Sequence, residues 1–365
     1  MSTTPTVKAT AHRRPIAIVG GGLTGLVCAG ALRDAGHTVT VFDKGRAAGG
    51  RLATRRVATA QFDLGAQYFT VEDAAFTRAV DGWRQAGVCA PWTGRIAATA
   101  GPGATFEMPE PRERLVGTPG MSALARHLGE GLDVRTSHRV ETITHAHGRF
   151  RIHGTRAHGE ILGAAPPSVA QESFGAFEAV ILCLPASQST ELLAPLSPTL
   201  AAVPQGVVLD PCFALGFAGA EADEERLRAI PYDGVFVGRD ADPAPASPLS
   251  WVARDASKPD RPHGEQWVLH ARGGWSRSVY DRSAEVVTEA LLAAFAALFD
   301  LTPLHPPTTT LQRWAFAKAA KPLECGASFD PTLALGVGGD WASGGRIEGS
   351  FLSGRALAAG MLERL

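Results

Sequence analysis

The turn Gly20-Gly21-Gly22-Leu23-Thr24-Gly25 constrains this chain more than any other stretch. It fits G-x-G-x-x-G with glycines at 20, 22 and 25. Before it, Ile16-Ala17-Ile18-Val19 is an apolar, β-branched run suited to a buried parallel strand. After it, residues 26–35 are rich in Ala and Leu and read as a helix closed by Gly36. Thr38-Val39-Thr40-Val41-Phe42 is a second strand that ends on Asp43. Strand, glycine turn, helix and acid-tipped strand, in that order, form a dinucleotide site. Gly20 permits the tight turn, Gly22 lets the backbone approach a pyrophosphate, and Gly25 lets the helix lie close on the strand. The helix start at Leu23 and Thr24 offers N–H groups and a positive dipole end to phosphates. Asp43 stands where a carboxylate accepts bonds from ribose hydroxyls and repels a 2′-phosphate.

The uncharged run 15–32 follows His12-Arg13-Arg14 and so also resembles a signal peptide or a marginal membrane span. Five glycines from Gly20 to Gly30 disfavour a stable apolar helix, and Asp34 and Asp43 follow directly. Both membrane readings are set aside. A formal net charge of −1 gives no polyelectrolyte argument for nucleic acid or anionic lipid. The five cysteines are scattered, odd in number and without a C-x-x-C, which points to reduced thiols in a cytoplasm and to no zinc site. Hydrophobic residues are 45% of the 365, enough for one large domain or two interleaved ones.

Downstream of Asp43 and Lys44 comes Gly49-Gly50-Arg51. This resembles the second half of the FAD fingerprint of amine-oxidase-like flavoproteins, which NAD-dependent dehydrogenases lack. Arg51-Leu52-Ala53-Thr54-Arg55-Arg56 and Phe62-Asp63-Leu64-Gly65-Ala66-Gln67-Tyr68-Phe69-Thr70 narrow the resemblance to the renalase branch, particularly its bacterial members. Leu249-Ser250-Trp251-Val252-Ala253-Arg254-Asp255-Ala256-Ser257-Lys258-Pro259, Trp267-Val268-Leu269-His270-Ala271 and Arg313-Trp314 extend it. The resemblance implies FAD, with Gly50 allowing close approach, Arg51 at the phosphates, Lys44 and Gln67 beside the cofactor and the Val140 backbone at the adenine edge; with no Cys in the C-terminal Gly-Gly-Arg region, the FAD is expected to be held non-covalently. At the other end of the chain, Leu335-Gly336-Val337-Gly338-Gly339-Asp340 reads as a strand, and Gly344-Gly345-Arg346-Ile347-Glu348-Gly349 opens an Ala-rich helix. By resemblance, Asp340 holds a ribityl or ribose hydroxyl, and N–H groups near Arg346, Ile347 and Glu348 face flavin N1 and O2. A helix dipole stabilises negative charge there. The plainer reading is a strand end followed by a surface helix.

The remaining pattern predicts a strand over 62–70, a helix over 76–86, a turn at 89–93 and a helix over 121–128 with Ser122 as a possible N-cap. It predicts a buried strand over 179–184, an antiparallel sheet over 209–270, an amphipathic helix over 283–299 and a strand over 311–316. The fold class is therefore α/β, with a Rossmann-type FAD-binding domain of the p-hydroxybenzoate hydroxylase kind and an interleaved α+β substrate domain on an antiparallel sheet. The expected division is a tail over 1–14, the FAD-binding domain over 15–75, 117–200 and 310–365, and the substrate domain over 76–116 and 201–309. Two loosely composed stretches, 154–173 and 240–248, have no further reading.

For a substrate face the candidates are Trp251, Arg254, His270, Trp275 and Trp314. Aromatic rings can sandwich a planar substrate, and Arg254 could hold an anionic group. Plain alternatives stay open: core tryptophans, a satisfied strand histidine, and an Arg254 paired with Asp255 or a loop carboxylate. No catalytic triad, metal cluster or paired carboxylate stands out, which fits chemistry carried by a cofactor. The resemblance implies oxidation of 2- or 6-dihydro isomers of NAD(P)H to NAD(P)⁺, with hydride passing to flavin N5 and O₂ reduced to hydrogen peroxide. The alternatives are an amine oxidase, for which Lys318 and Lys321 are the lysines in the relevant region, and a non-catalytic binding protein on the same fold.

Overall fold

The computed structural model describes residues 13–110, 112–156, 171–238, 247–301 and 304–365. Its centre is a six-stranded sheet in the order Ala327–Phe329, Leu335–Gly338, Ala179–Leu182, Pro15–Val19, Thr38–Phe42, Asp133–Arg135. All neighbours run parallel except the first pair. The four apolar runs that fill the middle are buried along their lengths, as strands covered on both faces must be. Helices Leu23–Asp34 and Ile347–Leu362 pack together on one face. At Gly354 a methyl group would press on the Thr24 carbonyl and the Val27 side chain, so glycine sets the closeness of that crossing. A meander of His138–Ala146, Arg149–Arg156 and Gln171–Phe177 covers the other face, with helices Ala186–Leu193 and Pro198–Gln205.

The second layer is a seven-stranded sheet in the order Thr308–Ala319, Leu209–Ala218, Gln266–Ala271, Leu249–Arg254, Gly234–Val237, Ile96–Thr99, Phe106–Glu107. It is antiparallel apart from the pairing of Gly234–Val237 with Ile96–Thr99. One face packs on helix Ala284–Phe299, whose start is capped by the Ser283 hydroxyl accepting from Val286 N–H. The other face meets the hairpin Thr54–Val57/Ala60–Asp63, where Phe62 lies on Gly216.

Several expectations need correction. Thr308–Ala319 pairs along Leu209–Ala218, so the boundary expected at 310 lies inside a strand of the seven-stranded sheet. Of the segment 62–70 only Phe62 and Asp63 are in a strand, the end of Ala60–Asp63. Beyond it the chain turns in against Arg51, where Ala66 N–H donates to the Arg51 carbonyl at 2.8 Å and a side chain at Gly65 would collide. Cys89–Pro91 is a strand on Leu115–Gly117, not a turn. Helix Ser122–Gly129 takes its cap from elsewhere: Met121 N–H donates to Asp63 Oδ1 and Ser122 N–H to Thr54 Oγ1, both at 3.0 Å. Residues 157–170 and 240–246 of the two loose stretches, like the tail 1–12, lie outside the described residues. Among those described, no helix is long and apolar enough to cross a membrane.

Candidate active site

Both sheets present their edges to one cavity of about 2350 Å³. A drug-sized ligand occupies roughly 300–1,000 Å³, so this space admits a large cofactor and a second molecule beside it. Along one wall run Gly20, Gly22, Leu23 and Thr24, then Asp43, Lys44, Gly50 and Arg51. Gln67 and Val140 also face it, as do Asp340, Arg346, Ile347 and Glu348 from the chain's other end. Gly25 stands behind this wall, where any side chain would strike the Gly20 carbonyl.

The wall fits a dinucleotide on its own geometry. Gly20 has φ +109°, which favours glycine, and a Cβ there would meet the Cys183 carbonyl. A Cβ on Gly22 would meet nothing within 4 Å, and Gly22 lines the cavity. Helix Leu23–Asp34 starts on Gly22, which supplies no side-chain acceptor for the first-turn N–H groups. Helix Ile347–Leu362 likewise starts on Arg346 without a side-chain cap. The Glu348 carboxylate turns away to accept from Glu72 and Asp73 N–H at 2.8 and 2.7 Å.

Asp43 accepts from Gly21 N–H at 2.7 Å and Gly45 N–H at 2.6 Å, one on each oxygen. Burial pushes its carboxyl up, and the two N–H donors and Lys44 pull it back only partly. Each oxygen keeps a second lone pair for a hydroxyl. Arg51 and Asp340 form a two-pronged pair at 2.6 and 2.8 Å, joining the first cofactor motif to the last across the cavity.

Of the substrate-face candidates, Trp251, His270, Trp275 and Trp314 all line the cavity. Arg254 does not join them. In the strand Leu249–Arg254, Trp251 and Arg254 are an odd number of residues apart and leave opposite faces. Arg254 lies over the Trp267 ring at 4.9 Å, pairs with Glu265 at 3.4 Å, and donates to the Leu227 and Ile230 carbonyls. The same parity separates Trp267, in the core under the helix, from His270 on the cavity side of Gln266–Ala271. Trp314 Nε1 donates to the Leu64 carbonyl at 2.8 Å. Lys318 lines the cavity.

Behind His270 is a cluster that the sequence reading missed. Asp63, Asp255, Lys258 and Arg261 have side chains with no exposed surface. Lys258 Nζ lies 2.5 Å from Asp255 and 3.6 Å from Asp63, and Arg261 donates to Asp63 at 2.5 Å. Burial pushes Asp63 up, but Lys258, Arg261 and the Thr54 and Met121 donors bring its carboxyl below the usual range. Burial dominates at Asp255 and leaves it raised. Lys258 also donates to Gln67 Oε1 at 3.3 Å, while Gln67 Nε2 donates to the Asp63 and Gly65 carbonyls and lies 3.5 Å from His270 Nε2. Burial first, then the Lys258 charge, lowers His270 to about 4, so the imidazole is neutral at ordinary pH. The available signal was spacing: Asp255, Lys258 and Arg261 recur every three residues. Among the described residues no cluster of His, Cys, Asp and Glu is arranged to hold a metal ion.

Comparison with known proteins agrees with this geometry. Residues 18–82 match the NAD(P)-binding Rossmann-like domain family. Among solved structures, "Putative protoporphyrinogen oxidase from Exiguobacterium sp. 255-15" superposes with a TM-score of 0.70 at 16% identity, covering 97% of this chain and 99% of that one. Putrescine oxidase, in a wild-type structure bound to putrescine, gives 0.69 at 14% identity, covering 96% and 99%. At these identities the likeness is one of fold. "Putative L-amino-acid oxidase YobN" of Bacillus subtilis (strain 168) is 44% identical over 50 residues, which span 14% of this chain and 10% of that protein. Residues 87–362 match the family described as flavin containing amine oxidoreductase. With that match over most of its length, the chain belongs to the flavin-containing amine oxidoreductase family and is an FAD-dependent oxidoreductase.

Proposed function

We propose that the protein is an oxidase for a planar, anionic hydride donor, best matched by the 2- or 6-dihydro isomers of NAD(P)H. The carrying observation is the charge of the cavity. Its lining holds thirteen Lys and Arg side chains against seven Asp and Glu, in a chain whose formal net charge is −1. FAD brings two phosphate charges, and the remaining excess favours a second anion over a cationic amine.

In this reading Gly20, Gly22, Leu23 and Thr24 hold the pyrophosphate, and Asp43 with Lys44 holds the adenosine end. Val140 meets the adenine. Arg51, Gln67, Asp340 and the N–H groups of Arg346, Ile347 and Glu348 hold the remainder. When bound, FAD would supply the hydride-accepting centre and the chemistry by which O₂ is reduced to hydrogen peroxide. Trp251, Trp275 and Trp314 fix the plane of the substrate ring. His270, neutral and beside Gln67, offers hydrogen bonding without taking a proton from solvent. A dihydropyridine becomes aromatic on losing hydride, so this wall needs no general base.

Amine oxidation is the second reading, supported by the family match and by the likeness to putrescine oxidase. Anaerobic mixing of the holoenzyme with 2- and 6-dihydro NAD(P)H, ordinary NADH, putrescine and aryl amines separates the two. The isomers are expected to bleach the flavin fastest. Ordinary NADH presents its hydride from another ring carbon, and about 1 Å of misplacement costs on the order of a hundredfold. Rapid bleaching by an amine with no response to the isomers selects the second reading.

A further inference from the structure

Several cations of the cavity wall are already committed. Arg51 is held by Asp340, Arg112 and Arg346 flank Glu72 at 3.9 and 3.8 Å, and Arg313 donates to the Tyr280 carbonyl. Arg114 differs. Its neighbour Glu113 is taken by Arg84 at 2.6 Å, and Arg114 has no carboxylate partner among the described residues. Its Nη1 donates at 3.3 Å to the Arg112 carbonyl, and its Nε is buried with no partner. A guanidinium has five N–H donors in a fixed fork, and a buried donor left unpaired is costly.

The backbone holds this side chain in place. The Arg114 carbonyl accepts from Trp92 N–H at 2.7 Å, and Leu115 exchanges backbone bonds with Phe69 at 2.8 and 2.9 Å. From that anchored position the guanidinium lies over the Tyr68 ring, 5.4 Å from its centroid. Tyr68 in turn stands 5.7 Å from Trp251, and all three line the cavity. A cation stacked on an aromatic ring keeps its N–H edge free for an in-plane acceptor.

We propose that Arg114 is the anchor for the substrate's oxyanion, a phosphate or carboxylate, while the substrate ring lies along Tyr68 and Trp251. It takes the role that the sequence offered to Arg254. This inference rests on the anionic-substrate reading above and names the residue that would enforce it.

The test uses FAD-loaded wild type, Arg114→Gln and Arg114→Lys, titrated with nicotinamide mononucleotide, nicotinamide riboside and benzoate. Binding is read from the perturbed flavin spectrum, and folding from FAD content and melting temperature. The mononucleotide and riboside differ by one phosphate, and benzoate carries the carboxylate form of the same oxyanion. Wild type should bind the mononucleotide about 10- to 100-fold more tightly than the riboside, the range for charge-assisted bonds. Arg114→Gln should erase that difference and leave the riboside unchanged, with Arg114→Lys in between. Should the Gln variant lose FAD, the Lys variant carries the test through the same difference. Tight benzoate binding lost in Arg114→Gln, with no response to either nicotinamide probe, keeps the anchor and removes the nucleotide reading. Unchanged mononucleotide and benzoate binding in Arg114→Gln overturns the anchor, as does equal weakening of the riboside. Failure of all three probes to bind wild type overturns it too.

Discussion

Asp43 and Asp63 are both buried carboxylates beside the same cavity, yet they are satisfied in opposite ways. Asp43 accepts from the backbone N–H groups of Gly21 and Gly45, and it lines the cavity. Asp63 is closed off among Lys258, Arg261, Thr54 and Met121. The first arrangement keeps spare acceptor capacity for a cofactor, while the second uses its capacity to tie segments together. Asp43 should therefore matter to FAD, and the Asp63 cluster to the fold and to the wall behind His270.

Lys258→Met should sharpen this contrast most. It leaves two buried carboxylates sharing one remaining cation, and breaking such a set costs about 3–5 kcal/mol. Denaturant unfolding of the variant should show that loss. A stability within about 1 kcal/mol of wild type would mean that the cluster does not hold the layers together. Asp43→Ala should behave in the reverse manner. FAD affinity should fall about 10- to 100-fold by equilibrium dialysis, the equivalent of charge-assisted bonds lost, with a smaller effect on unfolding of the apoprotein. Unchanged FAD affinity would remove Asp43 from the cofactor's contacts. Arg254→Gln sits lower on the scale, at about 1–2 kcal/mol of stability, because Glu265 loses its cationic partner in a largely buried site and keeps the Trp267 Nε1 donor. Flavin reduction rates in that variant should match wild type.

Acidification distinguishes the regions once more. His270 has a folded-state value near 4, below the ordinary value of 6.5, so the unfolded chain binds the extra proton first. Its contribution is present above pH 6.5 and is lost as pH falls toward about 4. His270→Gln should flatten that part of the stability curve.

The same contrast explains what was legible in the sequence. The Asp43 site is local: glycines, helix start and acid all lie between residues 20 and 45, where spacing alone carries the geometry. The last strand and helix were legible for the same reason, with Asp340 and Arg346 close together in the chain. Arg51–Asp340 and Asp63–Arg261 join residues 289 and 198 positions apart, and no periodicity encodes such a pairing. Helix Ser122–Gly129 shows the cost of this, since its cap comes from Thr54 and Asp63 rather than from Ser122. Arg254 was a different kind of error. The two-residue period of a strand already places it opposite Trp251, so parity could have excluded it. Arg114 and Tyr68 gave no sequence signal, because their stacking depends on the pairing of Leu115 with Phe69 across an isolated bridge.

The central claim is that this site takes hydride from the ring of an anionic substrate without a protein base, and a pH profile tests it most directly. Anaerobic flavin bleaching by 6-dihydro NADH should be followed in the stopped-flow between roughly pH 6.5 and 9, a range in which His270 stays neutral. A rate that is fast and nearly flat across the range is the predicted result. A tenfold rise per pH unit would reveal a required deprotonation, and together with faster bleaching by an amine it would contradict the account.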